Sequence, residues 1–304
     1  MGLSFSIKIL DLNQKRLFRS LFFAIVGEMI LKKIFTFILL NGFIIPFFYC
    51  NHLDQVDKSK ILPYGVFIGI SPQEKYLLEN YQIVVIDGQY FSKEDITELK
   101  NKGKKIYSYL NIGSIEDFRP YFSQWKDNFL GNYENWEEEY WMDVSNSNWQ
   151  DYIVKTLAKD LIDKGIEGFF VDNFDVYYNY QQEKIYHGLE EILKNLKCYN
   201  KPVIINGGDY FIQRYLQEHE KIFFDGISQE NVFTSIDFKH KQFYKQNENV
   251  KKYYLNYLDI CQRSDLKIFL LEYGKNKDIL NEIKQYCDEK GYSFYYSSSL
   301  ELNK

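Results

Sequence analysis

From residue 62 onward one theme recurs along the chain: a short apolar, β-branched or aromatic run, a polar end, then a helical stretch. The runs are YGVFIGI (64–70), IVVIDG (83–88), KIYSYLN (105–111), EGFFVDN (167–173), PVIING (202–207), FFDGISQE (223–230), KIFLLEY (267–273) and YSFYYSS (292–298). Eight strands alternating with helices are what an α/β chain needs to close into a (β/α)8, or TIM, barrel. An open doubly wound sheet would use fewer strands and carry a Gly-rich phosphate loop; no Walker or dinucleotide fingerprint is present. The intervening helices are also legible. NWQDYIVKTLAKDLIDKG places Ile153, Leu157, Leu161 and Ile162 at helical spacing, with Asn148 as the expected N-cap and Gly165 as the C-cap. One connection breaks the rhythm: between the third strand and its helix lie roughly thirty-five residues, Ile112 to Ser147, too long for an inert link in a compact domain.

The segment before the barrel reads differently. Lys32 and Lys33 precede an apolar stretch from Ile34 to Tyr49, the charge-then-apolar layout of an export signal, short for a membrane span. Met29 stands where such a signal would start, and LFFAIVG upstream leaves an uncleaved membrane anchor open. Cys50 sits where a lipoprotein carries its acylated cysteine, although Phe48 and Tyr49 are bulkier than that motif wants. The expected division is an extension with signal or anchor over 1–50, a linker over 51–61 and the barrel domain over 62–304. The protein is then extracellular or held at the cell envelope. The four cysteines, Cys50, Cys198, Cys261 and Cys287, form no CxxC and indicate no disulfide framework.

Composition narrows the function classes. A formal charge of -5 gives no reason to expect a nucleic-acid partner, which needs a basic surface, and mildly favours cationic ligands. With 27 Tyr and 25 Phe, the chain has aromatics enough for sugar platforms as well as a core. A barrel gathers its strand C-termini at one mouth, and the residues closing these strands are Asp87, Asn111, Asp172, Asn206, Glu230 and Tyr273, joined by Asp143 from the long connection. Each alone has a structural explanation as a cap, a turn or a solvated charge; their convergence suggests a site. Asp172 and Glu230, at the ends of the fourth and sixth strands, form the kind of carboxylate pair that glycoside hydrolysis needs, ~5 Å apart for retention and ~6.5–9.5 Å for inversion. None of His52, His187, His219 or His240 lies at a strand end, so neither metal nor other cofactor is expected. Ser228 lacks a G-x-S-x-G setting and an activating histidine.

The blocks YSYLNIGSIEDFRPYF, WMDVSNSNWQDYIVKTLAKDLIDKGIEGFFVDNFD, PVIINGG, DGISQENVF and LEYG resemble, in order and spacing, the secreted endo-α-1,4-polygalactosaminidase-like family, glycoside hydrolase family 114. The resemblance covers roughly residues 62 to 298. It implies a (β/α)8 barrel with Asp172 as nucleophile, Glu230 as acid/base and retention of configuration. Asp87, Tyr109, Asn111, Asp143, Asn173 and Asp175 match pocket-lining positions, and Asn206 and Tyr273 join them as expected substrate contacts. Two positions depart from the family pattern: Ser114 stands where an acidic residue commonly follows the glycine of the IG block, and Glu272-Tyr273 replaces Asp-Tyr. The expectation is a monomeric glycoside hydrolase acting on an amino-sugar polysaccharide. Its alternative is a non-catalytic carbohydrate-binding barrel of the same fold. A deacetylase-like hydrolase is a third reading, against which the missing metal ligands count. In the long connection, NWEEEYWMD sets Glu137, Glu138, Glu139 and Asp143 beside Trp136 and Trp141, a combination suited to a cationic sugar or, equally, a solvated charge run.

Overall fold

The structure, a computed structural model, describes residues 61–303; the expected signal, Met29 and Cys50 lie outside the described residues. Eight parallel strands follow one another around the barrel: β1 (Leu62–Phe67), β2 (Tyr81–Ile86), β3 (Lys105–Asn111), β4 (Gly168–Asp172), β5 (Val203–Asn206), β6 (Gly226–Glu230), β7 (Lys267–Tyr273) and β8 (Ser293–Ser297). Sequence order and spatial order coincide, as in a (β/α)8 barrel. The ladder runs from β1 to β8 without closing in hydrogen bonds. At that seam β8 lies beside β1, and Tyr295 packs its ring on Phe67 and Tyr81 at 5.1 and 5.8 Å. The C-terminal tail covers the same place, where Leu302 accepts a hydrogen bond from the Gly69 amide at 3.3 Å.

β4, β5 and β7 are largely apolar because helices cover one face and the barrel interior the other. Phe169, Phe170 and Val171 of β4 are all buried. The helix Glu183–Lys197 shows the matching pattern, burying Ile185, Leu189, Ile192 and Leu196 on one stripe. The helical stretch that begins at Ser147 is capped by Asn146, whose side chain accepts from the Asn148 amide, two residues before the expected cap. Asn148 therefore supplies the capped N–H, not the cap. The middle turns, Tyr152–Ala158, widen to π-helical hydrogen bonding. The far end closes as expected on Gly165, in the left-handed region at φ 100°.

Two insertions decorate the C-terminal mouth. The long connection after β3 carries a three-stranded antiparallel sheet of Ser114–Glu116, Glu139–Met142 and Phe129–Asn132. Stacked rings hold it together, Phe129 on Tyr140 at 4.7 Å and Tyr133 on Trp141 at 4.2 Å. The second insertion, a hairpin of Thr234–Asp237 and Gln242–Lys245 after β6, went unrecognised in the sequence. Its strands are largely polar and partly exposed, so they lack the apolar signature of the barrel strands.

Candidate active site

Register carries the polar strand ends to one rim. Asn111 ending β3 sits opposite Asp172 ending β4, Asn206 ending β5 opposite Ser228 of β6, and Glu230 ending β6 opposite Leu271 of β7. Asp172 and Glu230 are thus two strands apart, with Asn206 between them. The Asn206 side-chain amide joins the pair, its Nδ2 donating to Asp172 Oδ1 at 2.9 Å and to Glu230 Oε1 at 2.7 Å. Because one nitrogen lies 2.9 Å from one oxygen and 2.7 Å from the other, those oxygens are at most about 5.6 Å apart, short of the ~6.5 Å at which inverting pairs begin. Both hydrogens of that amide are used on carboxylates, which fixes its orientation. Its own buried carbonyl oxygen has no partner among the described residues. Tyr273 completes the group, its hydroxyl donating to Glu230 Oε2 at 2.9 Å.

Both acids hold their protons more tightly than usual. Burial, then the charge of Asp172, pushes Glu230 up to about 7 against the donors Asn206 and Tyr273. Burial pushes Asp172 up to about 6, opposed by hydrogen bonds from Asn206 and the Asn173 backbone. A carboxylate and a carboxylic acid at this spacing can attack a carbon and protonate an adjacent leaving oxygen.

The other expected residues divide. Tyr109, Asn173 and Asp175 line the cleft around the pair. Burial, then the charges of Asp209 and Asp172, raises Asp175 to about 7. Asn173 adopts the left-handed conformation at φ 68°, and its Nδ2 donates to Asn111 Oδ1 at 3.0 Å and Glu139 Oε1 at 3.1 Å. Its Oδ1 accepts from the Tyr133 hydroxyl at 3.1 Å. Asn111 is buried beneath the cleft as a bracket: it donates to Glu139 and accepts from the Ser114 amide. Asp87 is turned to a buried ion pair with Arg119 at 2.7 Å. Asp143 lies away from the cleft, accepting from Ser145 and pairing with Lys184 at 2.6 Å, because the inserted sheet delivers Glu139, not Asp143, to the mouth. Glu272, within β7, is buried and accepts the amides of Val232, Phe233 and Thr234, which pins the turn after Glu230.

Sequence reasoning passed over several cleft residues, among them Glu116, Tyr133, Asp209 and Tyr254. Of the acidic segment, Trp136, Glu138 and Glu139 line the cleft, whereas Trp141 is buried in the inserted sheet. Glu139, a neighbour of Glu116, is raised to about 7, chiefly by burial and then by that charge. It accepts hydrogen bonds from Asn111, Ser114 and Asn173, so a carboxylate stands beside Ser114 although the residue itself is not acidic. Trp136 and Phe238 meet edge-on at 6.1 Å, so the two insertions wall one cleft. The long connection here meets β4 at close quarters: a Cβ on Gly113 would fall 1.8 Å from the Asn173 carbonyl oxygen, which leaves room only for glycine.

The cleft encloses about 550 Å³. Eight carboxylates line it, and no lysine or arginine does so among the described residues. An eight-stranded parallel barrel with a close pair of acids at its C-terminal mouth is the architecture of a barrel glycoside hydrolase. The chain belongs to glycoside hydrolase family GH114, whose sequence model matches residues 66–301. Among solved structures, it is similar to the glycoside hydrolase domain of PelA from Pseudomonas aeruginosa (TM-score 0.67, 16% identity, 80% of this chain and 96% of that one). It is also similar to Ega3 from Aspergillus fumigatus, solved in complex with galactosamine (TM-score 0.62, 17% identity, 80% and 93%). Relatives by sequence include an uncharacterized protein of Thermotoga maritima, 26% identical over 174 residues, 54% of this chain and 50% of that one. Another is the uncharacterized protein MJ1477 of Methanocaldococcus jannaschii, 34% identical over 112 residues, 32% of each chain. The match thus spans half the length of the first and about a third of the second.

Proposed function

We propose that this chain hydrolyses an amino-sugar polysaccharide, an α-1,4-linked galactosaminoglycan, with retention of configuration. Asp172 attacks the anomeric carbon while Glu230 protonates the departing glycosidic oxygen; Glu230 then takes a proton from the water that releases the glycosyl-enzyme. The observation that carries this reading is the pair of acids held by one amide, with facing oxygens at most about 5.6 Å apart. The protonation states agree with it. Near neutrality Asp172, at about 6, is largely ionised, and Glu230, at about 7, still holds a proton in a large share of molecules. The substrate class rests on charge: galactosamine, the sugar bound by Ega3, is a cation when its amine is free, and among the described residues every charged side chain lining this cleft is a carboxylate. The Lys32-Lys33 and Ile34–Tyr49 pattern supports export to the polymer, by secretion or on an anchor.

The test uses partially deacetylated α-1,4-galactosaminoglycan, with mass analysis of released oligomers, and an activated aryl glycoside. Asp172→Asn is expected to lose turnover on both. Glu230→Gln is expected to lose it on polymer, yet to accumulate a glycosyl-enzyme from the aryl glycoside that azide releases as glycosyl azide. An adduct seen instead in Asp172→Asn would reverse the roles. A wild-type protein that binds these oligomers and cuts none would make the chain a carbohydrate-binding barrel.

A further inference from the structure

The cleft around the acids has a neighbour. A second pocket of about 460 Å³ opens beyond the ends of β1 and β2 and shares Ile68, Tyr109, Glu116 and Phe118 with the first. Its floor is the buried guanidinium of Arg119, whose Nη1 donates to Asp87 at 2.7 Å while Nε and Nη2 grip Glu116 at 3.0 and 2.8 Å. The charges of this floor are therefore engaged with one another, whereas Glu139, Asp172, Asp175 and Glu230 in the cleft form no ion pair among the described residues. Two aromatic rings flank it, Tyr90 at 54% and Phe118 at 56% exposure. They lie 5.8 and 5.2 Å from the guanidinium, which holds them beside the opening.

We propose that this pocket is a distal subsite for an N-acetylated hexosamine of the same polysaccharide chain that enters the cleft; the assignment rests on the functional reading above. The wall that the two cavities share names the occupant, since a polymer lying over the acids and running toward β1 meets Phe118 and then Tyr90 next. The chemistry of the walls names its substituent. A free ammonium finds no unengaged carboxylate here, whereas a neutral acetamido sugar can lay its C–H face on an aromatic ring and its methyl against Ile70 and Pro72. The protein then reads a pattern along its substrate: a free amine is favoured among the carboxylates and an acetylated residue further along.

The experiment measures binding of two α-1,4-linked galactosamine oligomers, one fully N-acetylated and one fully deacetylated, by calorimetry at low and raised salt. Wild type, Tyr90→Ala and Tyr90→Phe are compared; Tyr90 is exposed and touches neither acid, so the fold should tolerate both changes. The acetylated oligomer is expected to bind about five- to tenfold more weakly to Tyr90→Ala, as loss of one aromatic contact predicts. It should bind normally to Tyr90→Phe, with little effect of salt. The deacetylated oligomer should ignore Tyr90→Ala and weaken with salt. Failure of wild type to bind the acetylated oligomer, or equal affinity in Tyr90→Ala, overturns the subsite. Because the readout is binding, Tyr90-dependent binding without turnover of any amino-sugar polymer would overturn the hydrolase reading alone.

Discussion

Glu230→Gln is expected to remove hydrolysis of the polymer and, at alkaline pH, to make the protein more stable. In the unfolded chain this glutamate titrates near 4.5; in the fold, burial and Asp172 push it up to about 7. Between those values the folded state keeps a proton that the unfolded chain has released, so this group's contribution to stability declines as pH rises from about 4.5 to about 7. A gap of about 2.5 units at about 1.4 kcal/mol per unit sets an upper figure of about 3 kcal/mol. Glu230 is only partly buried by exposed area, and its titration is shared with Asp172, so about 2 kcal/mol is the working magnitude. Glutamine keeps the shape: its oxygen accepts from Asn206, and the Tyr273 hydroxyl can turn to accept from the new amide. Wild type and variant are melted at pH 4.5 and pH 8. The Tm values should coincide at the lower pH and differ by about 4–8 °C in the variant's favour at the higher, from the usual relation for a barrel-sized domain. A variant less stable at pH 8, or a difference that does not change with pH, would refute the claim that Glu230 is held protonated by its burial.

Two further outcomes follow from the same charges. A plot of kcat/KM on an amino-sugar polymer against pH should be narrow and bell-shaped, rising as Asp172 ionises at about 6 and falling as Glu230 loses its proton at about 7; a plateau reaching well above pH 9 would exclude this pair as its source. Arg119→Met strips Asp87 and Glu116 of their counter-charge and should cost about 3–5 kcal/mol in urea denaturation, much of it recovered when Asp87→Asn and Glu116→Gln are added, and an Arg119→Met midpoint equal to wild type would show the triad to be unimportant to the fold.

Much of the barrel was legible because its inner strands are buried on both faces, so PVIING and KIFLLEY announce themselves as apolar runs without help from distant residues. The placing of Asp172 and Glu230 on one rim was legible for a complementary reason: each closes a strand of the same barrel, and the C-terminal strand ends share one mouth. Residues outside the barrel strands obey other constraints. Whether Glu139 or Asp143 reaches the cleft depends on the pairing of Ser114–Glu116 with Glu139–Met142, a register between short, partly polar strands that local pattern does not encode. The hairpin Thr234–Asp237/Gln242–Lys245 was hidden for the same reason. Asp87 stood at a strand end as Asp172 does, but its partner Arg119 arrives from thirty-two positions away, and nothing near Asp87 in sequence signals that pairing.

Asn206 is a gauge as much as a donor. Two acids anchored separately could drift apart and admit a water between themselves and a sugar, the clearance that inversion of an anomeric centre demands. These two share the hydrogens of a single NH2 group, so neither can recede from the other without forfeiting a bond. In the retaining mechanism proposed above, the handedness of the product is thus written into the amide of the intervening strand, a residue that need never touch the bond being cut. Shortening that side chain, as in Asn206→Ser, removes the shared donor while leaving both acids in the sequence, and frees their spacing to change.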